Sequence, residues 1–175
     1  MTSRNLIASE GKNVRFSSNS WPVAKCLAGP RPLPRGVLLQ ALMDEILVEL
    51  TDDEWKRVNE LPCEQAALEI CRIHLRRCEP SVTFVTPGKG ADLRVRQDNG
   101  LELDIEVKGT EAAGLAWAQL KVSSQQSYDR LKSGMALYRV TGIRSRAVRL
   151  FVMRYGADFE MVPEPRWSVR PSQAK

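Results

Sequence analysis

Asp92, Glu106 and Lys108 lie in a stretch, ADLRVRQDNGLELDIEVK, whose apolar and polar residues alternate as in a two-stranded hairpin. In residues 101–108, Leu101, Leu103, Ile105 and Val107 form one face, and Glu102, Asp104, Glu106 and Lys108 form the other. In residues 91–97, Ala91, Leu93 and Val95 oppose Asp92, Arg94 and Arg96 in the same way. A two-residue Asn99-Gly100 turn would set every apolar residue opposite a polar one. The three-residue loop Asp98-Asn99-Gly100 aligns apolar with apolar, and puts its glycine where such loops take a left-handed residue. In that register Arg96 faces Glu102 and Arg94 faces Asp104, and the next rung sets Asp92 against Glu106. Like charges directly opposite destabilise a sheet. A bound divalent cation reverses that sign. Two carboxylates on adjacent strands, a nearby backbone carbonyl and waters suit octahedral Mg²⁺ or Mn²⁺. Lys108 follows on the same face about 7 Å along the strand. There it is placed to stabilise charge on an attacked phosphate or to position the attacking water, whose pKa the metal lowers.

The elements that must hold this set change character along the chain. Residues 1–35 are irregular, with GPRPLPRG at 29–36, and read as a Pro-rich arm. VLLQALMDEILVEL, 37–50, has helical spacing and is expected to be helix. TDDEW opens a short helix to about Glu60 with a capping box, Thr51 as N-cap and Glu54 in the reciprocal position. A further helix is expected over 63–77, with Ala67, Ile70, Cys71, His74 and Cys78 on one side. Glu64, in its first turn, lies beside that stripe, where it suits both the helix dipole and a site role. From residue 81 the period becomes two: SVTFVT, ADLRVRQ, LELDIEVK and LAWAQLKV (115–122) read as strands. Ser123 then caps a helix to about Lys132, with Gln126 in the capping-box position, before strands at 135–142 and 147–154. The expected class is therefore α/β or α+β: one mixed β-sheet flanked by helices, preceded by an N-terminal helical segment at 36–60 and followed by a tail from 164.

Composition narrows the function classes. Hydrophobic content of 43% and charged content of 27% belong to an ordinary globular chain. No apolar run approaches the roughly 18 to 20 residues that span a bilayer, so no membrane role is expected. The N-terminus lacks a secretory apolar stretch, which leaves the cytoplasm as the expected compartment. Cys26, Cys63, Cys71 and Cys78 suggest no disulfide framework. Cys71 and Cys78 would sit roughly 10 Å apart along a helix, too far to share one tetrahedral zinc with His74. The net charge of +5 is uneven: residues 35–70 carry three basic against nine acidic groups, while both ends are basic. Such asymmetry can steer a polyanion. Arg144, Arg146, Arg149 and Arg154 are the candidates for phosphate contacts.

An aspartate on one strand with Glu-x-Lys on the next, here Asp92 and Glu106-Val107-Lys108, resembles the signature of the PD-(D/E)xK nuclease superfamily. The wider string GADLRV…LDIEVKGTE, then LKVSSQQ, a helix and YRV, looks like the branch that includes Mrr-like restriction nucleases and the domain named after the protein NO VEIN. Ala91 stands before Asp92 where that signature often has proline, and no Gln-x-x-x-Tyr follows the third strand. The resemblance covers about residues 60–153, within a domain expected to span 61–163. It implies a restriction-endonuclease-like α-β-β-β-α-β core and Mg²⁺-dependent hydrolysis of DNA phosphodiesters, in restriction of foreign DNA or in repair. Under it, Asp92, Glu106 and the Val107 carbonyl hold the metal, Lys108 assists the water, and Glu64 matches a glutamate common on the first core helix. Gln119, Lys121, Gln125 and Gln126 fall where some members carry further polar site residues. The alternative is a non-catalytic DNA-binding or assembly subunit of a larger complex with the same fold. Homodimers are common among nucleases that cut both strands.

Overall fold

Residues 44–49, Asp-Glu-Ile-Leu-Val-Glu, fit both a helical and an alternating pattern. In the computed structural model, which describes residues 44–164, they form a strand, β1 (Asp44–Glu49). This corrects the helix expected over 37–50 as far as the described residues reach. The arm 1–35 and the tail beyond Glu164 lie outside them. Strand β6 (Ala147–Met153) pairs with β1 antiparallel, from Asp44–Val152 to Glu49–Ala147. An open sheet edge satisfied by those ladder bonds outweighs the modest helix preference of Leu and Glu.

Helix α1 (Asp52–Glu60) begins as expected: Thr51 Oγ1 accepts from the Glu54 amide at 3.3 Å, and Glu54 accepts from the Thr51 amide at 2.9 Å. Helix α2 (Cys63–Cys78) follows after Pro62 and buries Ala66, Ala67, Ile70, Cys71, Ile73 and His74. Strands β2 (Thr83–Val85), β3 (Leu93–Arg96), β4 (Glu102–Gly109) and β5 (Ala136–Thr141) complete a six-stranded mixed sheet in the order β1-β6-β5-β4-β3-β2. Within it only the β4–β5 pair is parallel. The fold is thus α/β in the mixed, α+β sense, with helices on both faces of one sheet.

A parallel pair needs a crossover, and residues 110–135 supply it. Within it, 115–122 is not the expected strand but an irregular segment with a single 3₁₀ turn, Trp117–Gln119. Both neighbours of β4 are already taken by β3 and β5, so this segment cannot pair with the strand it follows. Helix α3 (Gln125–Lys132) closes the crossover, capped by Ser124, whose hydroxyl accepts from the Ser127 amide at 2.9 Å. The cap is one residue later than expected, so Gln126 is not in a capping-box position.

The two helices cover opposite faces. Gly109 of β4 touches Ala67 of α2, while Asp104 of β4 pairs with Arg130 of α3. The α3 face carries a buried cluster of Leu131, Met135, Leu137, Phe151 and Met153. Among the described residues, no helix is long and apolar enough to cross a membrane.

Candidate active site

The hairpin that positions the site closes as the parity of its residues demands. Leu93 pairs with Ile105, Arg94 with Asp104, Val95 with Leu103 and Arg96 with Glu102. The loop is Asp98-Asn99-Gly100, with the Gln97 amide donating to the Leu101 carbonyl at 2.9 Å and Gly100 left-handed at φ 79°. Arg94 holds Asp104 through two bonds of 2.6 and 2.7 Å, and Arg96 holds Glu102 at 2.6 and 2.9 Å.

The next rung departs from expectation. The ladder stops at Leu93, and the Asp92 amide donates to the Ile105 carbonyl at 3.0 Å. Asp92 and Glu106 therefore do not form a ladder pair. The Asp92 carboxylate instead accepts from the Val107 amide at 2.9 Å, replacing a backbone acceptor just past the end of β3. A charge-assisted bond from an amide is favourable where a facing carboxylate is not. Asp92 itself is exposed.

Glu106 has the opposite environment: it is only 3% exposed. Its parallel neighbour on β5 is Leu137, and the buried cluster of that face lies beside it. A carboxylate so placed needs a cation. Lys108 Nζ supplies it, 2.8 Å from Glu106 Oε1. Three of the expected residues are thus brought to one strand end around Val107: Asp92 on its amide, Glu106 just before it, and Lys108 just after it and paired with Glu106.

Among the described residues, no three of His, Cys, Asp and Glu are grouped to hold a metal. Glu64, exposed in the first turn of α2, accordingly does not join Asp92 and Glu106 in a three-carboxylate set. The donor set that remains is hard and sparse: two carboxylates and the backbone of β4 at Val107. This suits Mg²⁺ or Mn²⁺, which keep several waters and take one or two carboxylates, and it does not suit zinc, which wants His and Cys ligands.

Comparison with protein-family models, with curated proteins and with solved structures gives no match. The geometry carries the reading alone.

The residues around this centre divide by what they touch. Asp104 accepts from Arg94 and also from Arg130 of α3. Hydrogen bonding to Arg94, then to Arg130, holds its carboxyl below the ordinary 3.8. The loop before β3 packs into the same corner. A Cβ on Gly88 would lie 2.6 Å from both Arg94 Nη2 and Arg130 Nη2, and one on Gly90 would lie 2.6 Å from Gln126 Cβ. Sequence reasoning missed Arg130 and the Pro-Gly-Lys-Gly loop, whose two glycines were the available signal.

A folded-state pKa below the unfolded one adds stability above the unfolded value and loses it as pH falls through the folded one. Wild type is therefore expected to lose melting temperature steeply below about pH 4. Asp104→Asn should start lower at neutral pH and show a shallower acid limb. Melting curves from neutral pH downward check this, and parallel limbs in the two proteins would count against the assignment.

The arginines expected to meet phosphate are mostly engaged within the fold. Arg144 Nη1 donates to the carbonyls of Leu61, Asn59 and Val58 at 3.1, 3.2 and 3.5 Å, and its Nε to Glu111 at 2.9 Å. It is a cationic cap on the C-terminus of α1. Arg146 pairs with Asp52 and lies over the Trp55 ring at 5.2 Å. Arg149 reaches Glu45 at 3.5 Å across the β1–β6 ladder. The Arg154 amide donates to Asp158 at 2.7 Å. Arg144→Ala is expected to lower stability by about 1–2 kcal/mol, the scale of several charged hydrogen bonds at a half-exposed helix end. Should the chain bind DNA, the salt dependence of that binding is expected to be unchanged in this variant, and a slope reduced by about one would restore Arg144 as a phosphate contact.

The polar residues after β4 are likewise placed elsewhere. Gln119 accepts from the Thr110 hydroxyl at 3.3 Å, Lys121 pairs with Glu164, and Gln125 donates to Asp129 at 2.9 Å. Gln126 is exposed on the first turn of α3. A groove of 620 Å³ lined by Trp117, Lys121, Tyr128, Phe159 and Met161 contains none of Asp92, Glu106 and Lys108. Cys71 is fully buried, and Cys78 Sγ lies 3.6 Å from His74 Nε2 inside α2.

Proposed function

We propose that the protein is a metal-dependent nuclease acting on DNA. The observation that carries this reading is a carboxylate 3% exposed, Glu106, met by Lys108 Nζ at 2.8 Å at the strand end where Asp92 also turns its carboxylate to the backbone. A purely structural strand gains little from burying a carboxylate at that point beside a part-exposed lysine, since an apolar side chain of similar volume is often as stable or more so.

Asp92, Glu106 and the Val107 carbonyl are the groups that would hold Mg²⁺ or Mn²⁺. Such an ion supplies a water of lowered pKa and polarises a phosphoryl oxygen. The chain's own residues do the rest. The Val107 amide fixes the Asp92 carboxylate through Oδ2, which leaves its other oxygen for a ligand. Lys108 Nζ is the donor that would meet negative charge developing on the attacked phosphate. Burial of Glu106 lowers the local dielectric and strengthens each of these interactions.

Incubation with supercoiled plasmid tests the reading. Nicking is expected with Mg²⁺ or Mn²⁺ and not with chelator. Isothermal titration should show metal binding at millimolar concentration, and a protein that neither binds metal nor cuts would overturn the proposal.

A further inference from the structure

Arg139 occupies the middle of β5 and is 2% exposed. Its Nε donates to the Leu115 carbonyl at 3.0 Å and its Nη1 to the Gly109 carbonyl at 3.2 Å. Its Nη2 is buried without a hydrogen-bond partner. Among the described residues, this guanidinium bonds only to carbonyls and to no carboxylate. A buried charge without a counter-ion is strongly unfavourable. Deprotonation offers no escape, because arginine stays charged.

The position does not call for a cation on packing grounds. Its antiparallel neighbour on β6 is Phe151, and Leu137, two residues before it on the same face, lies in the apolar cluster. Its parallel neighbour on β4 is Lys108. Neighbouring strands run about 4.8 Å apart, so two cations stand side by side on one face. Glu106 balances one of them, at Lys108. Among the described residues Arg139 is left without a bonded carboxylate, with an unpaired N–H donor at Nη2.

The segment above Arg139 is tied to β5 and to the turn after it: the Thr110 amide donates to the Val140 carbonyl at 2.9 Å and the Ile143 amide to the Thr110 carbonyl at 3.4 Å. The Gly142 amide donates to the Ala112 carbonyl at 2.8 Å, and the Thr141 hydroxyl to the Ala113 carbonyl at 3.4 Å. Residues 111–114 are exposed. Ala116, at its end, holds φ 49°, the sole positive φ at a non-glycine residue among those described. That conformation is strained for alanine.

The geometry points to Arg139 and Lys108 as a phosphate seat, closed over by residues 110–116 and filled by a tetrahedral phosphate oxyanion. Nη2 of Arg139, the nitrogen left without a partner, meets the oxyanion through a charge-assisted bond, and Lys108 adds a point charge. That the phosphate belongs to a DNA backbone rests on the nuclease reading; that the seat takes a phosphate group does not.

Thermal unfolding in sodium phosphate against sodium chloride at matched ionic strength tests the seat without any activity. Wild type is expected to gain melting temperature in phosphate. Arg139→Met, which removes an uncompensated buried charge, should fold with a melting temperature in chloride at or above wild type. Its apparent affinity for phosphate should fall at least about tenfold, the scale of one lost charged hydrogen bond. Arg139→Lys keeps the charge, loses Nη2 and should fall between the two. Inorganic phosphate should also displace a short fluorescent DNA duplex from wild type, which separates a backbone phosphate from a seat for free phosphate alone. A phosphate response equal in wild type and Arg139→Met overturns the seat. So does an Arg139→Met chain that fails to fold while Arg139→Lys responds as wild type does, since Arg139 is then a structural pin. Plasmid nicking with no Arg139-dependent phosphate response sinks the seat and leaves the nuclease reading. The reverse result sinks the nuclease reading and leaves the seat.

Discussion

Lys108→Ala should reduce plasmid nicking by about two orders of magnitude or more, the usual cost of removing one group directed at transition-state charge. The variant also leaves Glu106, 3% exposed, without the ammonium at 2.8 Å, so some stability is lost with it. Glu106→Gln separates the two effects. It keeps the side chain's shape and an oxygen for Lys108, but removes the negative charge that a hard divalent cation requires. Nicking should fall as far as in Lys108→Ala, metal binding by titration should weaken, and the circular dichroism spectrum should match wild type. Equal cutting by wild type and both variants would mean that the activity comes from elsewhere. Asp92→Asn belongs to the same series. Its amide oxygen still accepts from Val107, so any loss there reports charge rather than loop position.

Gly109→Ala is expected to destabilise the chain by about 2–3 kcal/mol, near the upper part of the range for overpacking. A Cβ there would stand 2.8 Å from Ala67 Cβ, 2.8 Å from Ile143 Cδ1 and 3.1 Å from the Cys63 carbonyl. Two of those three groups belong to α2 and move only if the helix moves. The glycine follows Lys108 directly and seats the end of β4 on α2, and its carbonyl accepts from Arg139. Displacing it should lower activity beyond what stability alone explains. Melting temperature and nicking rate, read on the folded fraction, check both parts; a variant as stable as wild type would show that α2 retreats without cost.

Much of the hairpin and its flanking elements is legible in the residues themselves. The register follows from parity: only an odd loop aligns Leu93 with Ile105, and Gly100 can take the left-handed turn that closes it. Thr51 and Glu54 define a cap through contacts only three residues apart. The strands at 136–141 and 147–153 are readable because β-branched and aromatic residues run through both. The grouping of Lys108 with Glu106 is implicit in the same alternation.

What tertiary structure decided depended on which edges and faces were available. DEILVE suits a helix locally, yet the open side of β6 offered six rungs and took it as a strand. LAWAQLKV alternates like a strand, yet β3 and β5 already flank β4, so it became a crossover. The like-charge rung failed for a similar reason: past Leu93 the chain could turn the Asp92 carboxylate to a free amide rather than hold it against Glu106. In ALYRVT the arginine is an ordinary letter until neighbours enclose every position of the strand. Composition and period determine which residues a strand presents. Long-range packing alone determines which of them lose water, and a charge that loses water without a counter-ion is where this chain's chemistry is most exposed to test.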